Sequence, residues 1–266
     1  MSHAHHSTVG ALWITVVLSL VAAGYLYRWL RVARLEADGV KGWRACSCFV
    51  GLLLLWLGLA SPLALLDHDL LTAHMAQHLL LMTLAPPLIL LGAPFKLLPQ
   101  SIARPLPWGP LWQLGRKLLH PAVGWMGAAS ALIVWHIPSV FMLGMQSQMW
   151  HGIEQASFLV TGLLFWLPVV RPLRDSSKWP ESSILLYLFL ATLPCDILSG
   201  FLVFCDRVVY PVFFSSPHSF GLSALEDQEC AGALMWTCVT LVYLIAGAVF
   251  TLRLLSPHRS ESLAIP

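Results

Sequence analysis

Apolar residues along this chain come in long blocks that do not alternate with polar ones. Seven such runs fall at about 10–30, 45–66, 70–93, 121–144, 151–170, 183–204 and 229–252. A bilayer core of roughly 30 Å takes about 20 residues of helix, and over such a length only a helix bonds its own backbone away from water. The pattern therefore predicts an all-α integral membrane bundle of seven transmembrane helices. Residues 10–253 make a single transmembrane domain, with a His-containing tail at 1–9 and a second tail at 254–266. Pro86 and Pro87 lie inside the third run and are expected to kink it. The Pro-rich stretch 91–110 cannot continue a helix and is expected to be a loop.

Charge supplies the orientation. With seven spans, Arg28, Arg31, Arg34, Lys41, Arg44, Lys96, Arg104, Arg116, Lys117, Arg171, Arg174, Lys178, Arg253 and Arg259 share one side, which is 14 of the 15 Lys and Arg. Only Arg207 lies opposite. Positive charge stays in the cytoplasm, so the N-terminus is expected outside and the C-terminus inside. Segments 67–69, 145–150 and 205–228 then face outward. No Lys or Arg precedes the first run, so it is expected to be a span and not a cleavable signal peptide.

Composition narrows the function classes. Residues of the AVILMFWYC set make up 58% of the chain and charged residues 11%, which excludes a water-soluble globule and intrinsic disorder alike. A net charge of +2 gives no footprint for nucleic acid. No G-x-S-x-G, H-E-x-x-H, phosphate-binding loop or C-x-x-C occurs, so hydrolase, zinc protease, nucleotide and thioredoxin chemistry have no support. Cys46, Cys48, Cys195 and Cys238 lie in or beside apolar runs, as packed thiols do, although Cys46-Ser-Cys48 could form an inner thiolate site. Cys205 and Cys230 are the only pair considered for a disulfide, since both come out near one face.

The histidines are lopsided on this topology. His3, His5, His6, His68, His74, His78, His136, His151 and His218 are outward or in outer halves of spans, against His120 and His258 inward. His74 and His78 lie about 6 and 12 Å below the outer end of the third span, and His136 about 10 Å below that of the fourth. Four residues apart, His74 and His78 share one helix face, the spacing that offers two imidazoles to one metal. Met75 and Met82 lie on or beside that face, and Met142, Met145 and Met149 follow His136. His151 is followed one turn later by Glu154 and Gln155, while Asp196 and Met235 fall at similar depth. Imidazole with thioether suits copper, Cu(I) in particular. The plainer alternative is a set of helix-to-helix hydrogen bonds with Met as core filler. Glu154 and Asp196 are costly in lipid unless partnered, and either could orient a His. His68 is a weaker candidate, and the N-terminal His residues could capture copper or belong to a solvated tail.

Four ordered segments carry a family resemblance: AHMAQHLLLMTLAPPLILLGAP at 73–94, WHIPSVF at 135–141, MWHGIEQASFLVTGLLFWLPVV at 149–170 and LEDQECAGALMW at 225–236. They resemble the CtaG family, membrane proteins described as assembly factors for caa-type cytochrome c oxidase. The resemblance implies a seven-helix protein of the bacterial cytoplasmic (inner) membrane that assists copper entry to the CuB centre, itself within the membrane toward the outer side. The implied partners are the lipid bilayer and the oxidase catalytic subunit or its copper chaperones. The family's H-M-x-Q-H element falls on His74, Met75, Gln77 and His78, its W-H-x-P element on Trp135, His136 and Pro138, and its D-Q element on Asp227 and Gln228. Where relatives commonly show H-x-x-E-H, this chain has His151, Glu154 and Gln155, and the aromatic and acidic residues usual after W-H-x-P are replaced by Phe141 and Met142.

The leading expectation is thus a non-enzymatic copper-binding assembly factor. Its metal residues are His74, His78, His136, His151, Met75 and Met142. Gln77, Glu154, Asp196, Asp227, Gln228, His68 and Met235 are the supporting candidates. The alternatives are a haem-b protein for electron transfer or haem handling with two axial His, a copper transporter, and a scaffold that binds an oxidase subunit through its helices.

Overall fold

The computed structural model describes residues 2–35, 41–94, 119–170, 183–215 and 221–255, and among these it contains helices and no strand. The helices are α1 (Ser2–Leu35), α2 (Gly42–Ala60), α3 (Leu71–His78), α4 (Ala85–Leu91), α5 (Pro121–Trp135), α6 (Pro138–Gln146), α7 (Gln148–Val170), α8 (Ser183–Phe204) and α9 (Ala224–Leu255). Short 3₁₀ turns cover Pro62–Leu65 and Pro211–Ser215. Among the described residues, six helical segments are long and apolar enough to cross a membrane, or seven if the bent pair α5 and α6 counts as one. This is a multi-pass membrane architecture. Large apolar side chains such as Leu20, Ile197, Phe204, Leu244 and Leu252 stand exposed on its flanks, where lipid replaces water as the solvent.

The third apolar run is the axis of the bundle. It is the most buried of the spans, with α2, α7 and α9 packed around it. Its kink takes a specific form. Between α3 and α4 the chain widens to a π-helix over Leu79–Leu84, and the Ala85 N–H reaches back five residues to the Leu80 carbonyl. Pro86 explains the widening, because its ring would strike the Met82 carbonyl and it has no N–H to donate there. The freed Met82 oxygen accepts a hydrogen bond from Trp166 Nε1 at 3.2 Å. Gly162 of α7 allows that approach, since a Cβ there would sit 2.8 Å from both Cα and O of Met82.

The fourth run, expected as one span over 121–144, is broken. α5 and α6 meet at an angle of 80°. Pro138 disfavours helical geometry at the residue before it, and Ile137 is extended with φ −66° and ψ 124°. The break leaves the His136 carbonyl without a helical partner, and the Tyr210 hydroxyl donates to it at 2.9 Å. The last helix starts earlier than its apolar run. Ser223 and Glu226 form a capping box, with Ser223 N–H donating to Glu226 Oε2 at 2.8 Å and Glu226 N–H to Ser223 Oγ at 3.3 Å.

α1 packs on α2 at the edge of the bundle and is tied in by Tyr25, whose hydroxyl donates to the Gly92 carbonyl at 2.8 Å. The backbone at 2–9, expected as a tail, continues α1. Cys205 and Cys230 are free thiols, so the disulfide considered for them does not form. Most of the loop at 91–110, His218, His258 and the tail beyond 255 lie outside the described residues, as do the side chains of His3, His5 and His6.

Candidate metal centre

Helical spacing on α3 does what the sequence expects of it. His74 and His78 lie one turn apart, edge to face, with ring centroids 4.4 Å from each other, both buried. α7 supplies the acidic group that faces them. Glu154, about 1% exposed, brings Oε1 to 3.6 Å from His74 Nε2 and 3.3 Å from His78 Nε2. Its other oxygen, Oε2, is 3.4 Å from Nδ1 of His151 one turn earlier on the same helix. Gly144 of α6 roofs this carboxylate, and a Cβ there would lie 2.8 Å from Oε2.

Close as they are, these atoms do not hydrogen bond. Both ring nitrogens of His74, both of His78, Nδ1 of His151 and Oε1 of Glu154 are buried with no hydrogen-bond partner. Orphaned polar atoms of this kind are costly in a protein interior. One ligand atom from each of His74, His78 and Glu154 falls within 4.8 Å of the others. Donors set about 2.0–2.2 Å from one tetrahedral or trigonal ion stand roughly 3.3–3.8 Å apart. The separations and the absence of hydrogen-bond geometry both fit a cation between the groups. Charge points the same way, because among the described residues the basic groups that reach Glu154 are imidazoles and not Lys or Arg.

His136 comes from the break between α5 and α6. Its ring is 5.9 Å from that of His78, its Nδ1 donates to the Leu132 carbonyl at 2.7 Å, and its Nε2 meets Met75 Sδ at 3.2 Å. The fixed Nδ1 proton leaves Nε2 as the ligating nitrogen. Phe141 packs on His74 and Phe158 on His78, walling the group with aromatic rings. Met142 is half-buried, and as the next residue round α6 it points about 100° away from Phe141.

A second donor group sits at the mouth of the first. Asp67, His68 and His151 can also place one ligand atom each within 4.8 Å. Asp67, from the turn after α2, takes a hydrogen bond on Oδ2 from His151 Nε2 at 3.0 Å, while its buried Oδ1 has none. His68 is exposed, with its ring 5.5 Å from that of His151. Burial alone would raise the Asp67 carboxyl, but the His151 hydrogen bond and charge outweigh it and hold the group below the usual carboxylate value. Gln155, in the place of the family's second His, reaches His151 Nε2 at 2.7 Å.

Other candidates hold the frame. Asp227 at the start of α9 accepts from the Leu71 and Thr72 N–H groups at 2.6 and 3.1 Å, so it caps α3 from a different helix. Gln228 accepts from Val209 N–H at 2.7 Å and donates to the Leu202 and Arg207 carbonyls, fixing the turn that carries Tyr210. Gln77 donates to the Gly58 carbonyl at 2.6 Å and lies 3.4 Å from Asp67 Oδ2. Met235 lines a cavity of about 40 Å³ together with Met75, His78 and His136. That space is far below the several hundred Å³ of a small-molecule site. Asp196 lies on α8 with a buried, unpartnered Oδ1 and joins neither donor group.

The sequence pointed to the two α3 imidazoles through their spacing. It missed Asp67, an acidic residue beside the end of an apolar run, where such residues are ordinarily solvated. The only signal was its neighbour His68. Tyr210 was missed as well, since nothing local marks a hydroxyl that bonds 74 residues away.

The family described as cytochrome c oxidase caa3 assembly factor (Caa3_CtaG) matches the chain over residues 23–256. No curated protein and no solved structure matches it.

Proposed function

The chain belongs to the cytochrome c oxidase caa3 assembly factor family, and on that premise we propose that it is a non-catalytic factor that holds copper as cargo for a haem-copper oxidase and assists maturation of CuB. The observation that carries this reading is the convergence of His74, His78 and Glu154 on one buried point without a hydrogen bond among them. Two imidazoles and a carboxylate suit a divalent transition metal. The thioether of Met75 beside His136 adds a soft donor, which favours copper over zinc and Cu(I) over Cu(II) at that end of the group.

The distribution of Lys and Arg turns this end of the bundle outward in the bacterial cytoplasmic membrane. Cargo held there is reached from outside and is handed to the oxidase catalytic subunit or exchanged with its copper chaperones. The protein's own contribution is a dry, preformed donor set. Asp227 and Gln228 hold α3 and the 205–210 turn in place, and Phe141 and Phe158 exclude water from the imidazoles.

Metal analysis and a visible spectrum of the detergent-purified full chain test this, with wild type beside His74→Ala/His78→Ala after exposure to Cu(I). About one equivalent less copper in the double variant than in wild type, without a Soret band in either, is the expected result. Cells carrying the double variant should make oxidase with reduced copper content. A Soret band, or as much copper in the folded double variant as in wild type, overturns the proposal.

A further inference from the structure

The two donor groups are not independent, and their arrangement suggests a direction of travel. Burial rises along one line. The His68 side chain is 53% exposed, those of His151 and Asp67 are 11% and 5% exposed, and those of His74 and Glu154 are 1% exposed. His151 belongs to both ends of this line through different nitrogens. Its Nε2 faces Asp67 at 3.0 Å and its Nδ1 faces Glu154 at 3.4 Å. Its ring centroid is 5.7 Å from that of His74, so the two groups are one ring width apart.

We propose that Asp67, His68 and His151 form a separate landing site for a divalent transition metal ion, from which the ion passes inward to His74, His78 and Glu154 with His151 as the shared ligand. The donor set is one carboxylate and two imidazoles, which takes Cu(II) or Zn(II) and selects against Mg(II) and Ca(II). Asp67 Oδ1, buried with no hydrogen bond, is a ready ligand atom aimed into the group. An ion on His151 Nε2 takes the place of the proton that bonds this nitrogen to Asp67 Oδ2, and that proton leaves to water. When the ion moves on to Nδ1, which faces Glu154 with no hydrogen-bond partner, Nε2 takes a proton from water and bonds Asp67 again. Exposed His68 offers an incoming ion its first ligand, and each step inward exchanges water for a protein donor. No change in oxidation state is involved. The inference rests on the cargo reading only in taking the buried group as the destination.

Full-length protein in detergent, titrated with Cu(II) alone, tests it. His68→Ala and Asp67→Asn remove landing-site donors while leaving the buried donors intact, and His68 is exposed enough that its loss does not threaten folding. Wild type should bind about two ions per chain and either variant about one, with the remaining ion lost only in His74→Ala/His78→Ala. Copper should also become resistant to a chelator that cannot enter the bundle roughly tenfold or more slowly in His68→Ala than in wild type. One ion in wild type, unchanged in number and loading rate by either variant, overturns the landing site and leaves the cargo function standing. Two ions with an unchanged loading rate overturn the transfer. No copper in wild type sinks both proposals together.

Discussion

Glu154 is the residue on which the site depends most, and a buried carboxylate amid imidazoles has two ways to be neutralised: protons on the rings or a cation between them. Glu154→Gln keeps the shape and removes the charge. It should lower copper affinity by at least about 10–100-fold, the loss seen even when only an indirect partner of a metal ligand is changed, while the metal-free protein stays as stable or gains. Isothermal titration beside thermal unfolding separates the two effects. Asp227 plays the opposite part, holding α3 in place without facing the cargo. Asp227→Ala should cost about 1–2 kcal/mol, with most of it recovered by Asn, as measured by denaturation in detergent. Asp67 links the site to pH. Its carboxyl is held below the ordinary value of 3.8, so the pair with His151 stabilises the folded state above that pH and stops doing so as pH falls through the depressed value. As pH falls below the ordinary carboxylate value of 3.8, the stability of wild type should therefore fall more steeply than that of Asp67→Asn. The sequence shows His74 and His78 on one face because four residues nearly complete a turn. It does not show Glu154 opposite them, because the rotation of α7 is fixed by packing and not by its own pattern.

At the scale of elements, prolines and glycines decide where the site can form. Pro86 widens the central helix into a π segment, and Gly162 lets α7 settle against it at backbone distance. The two elements that meet there carry His74 with His78 on one side and His151 with Glu154 on the other. Gly162→Leu should force them apart, costing about 1–3 kcal/mol and lowering copper stoichiometry, whereas Gly152→Ala, with nothing within 4 Å of the added methyl, should change neither. Circular dichroism melts with metal analysis would register both outcomes. A kink in the third run was legible from Pro86 and Pro87, but its π form was not, since that depends on Trp166 taking up the Met82 carbonyl. The fourth run reads as one apolar block despite Pro138. Hydropathy does not register an 80° turn, and this turn needs Tyr210 to satisfy the His136 carbonyl.

For the whole molecule, the charge asymmetry predicts that a reporter fused after Arg174 reads cytoplasmic and one after Ser216 reads outward; the reverse pattern would remove the outward-facing site. The amino-acid sequence by itself determined the class and course of the chain. Apolar blocks of span length admit only helices, because transfer of the backbone from water to lipid is a local matter, and one-sided Lys and Arg predict the orientation that the reporters test. It also placed His74 and His78 one turn apart on one face, since rise and turn per residue are properties of any helix, whereas the depth expected for His136 assumed a straight fourth span that the 80° turn breaks. Only the tertiary structure decided which of these residues meet. It turned Glu154 toward the α3 imidazoles, drew Asp67 in from a turn, joined both groups through His151 and left Asp196 outside both. Helix rotation and choice of neighbour arise from contacts between residues far apart in the chain, and one helix's pattern does not contain them.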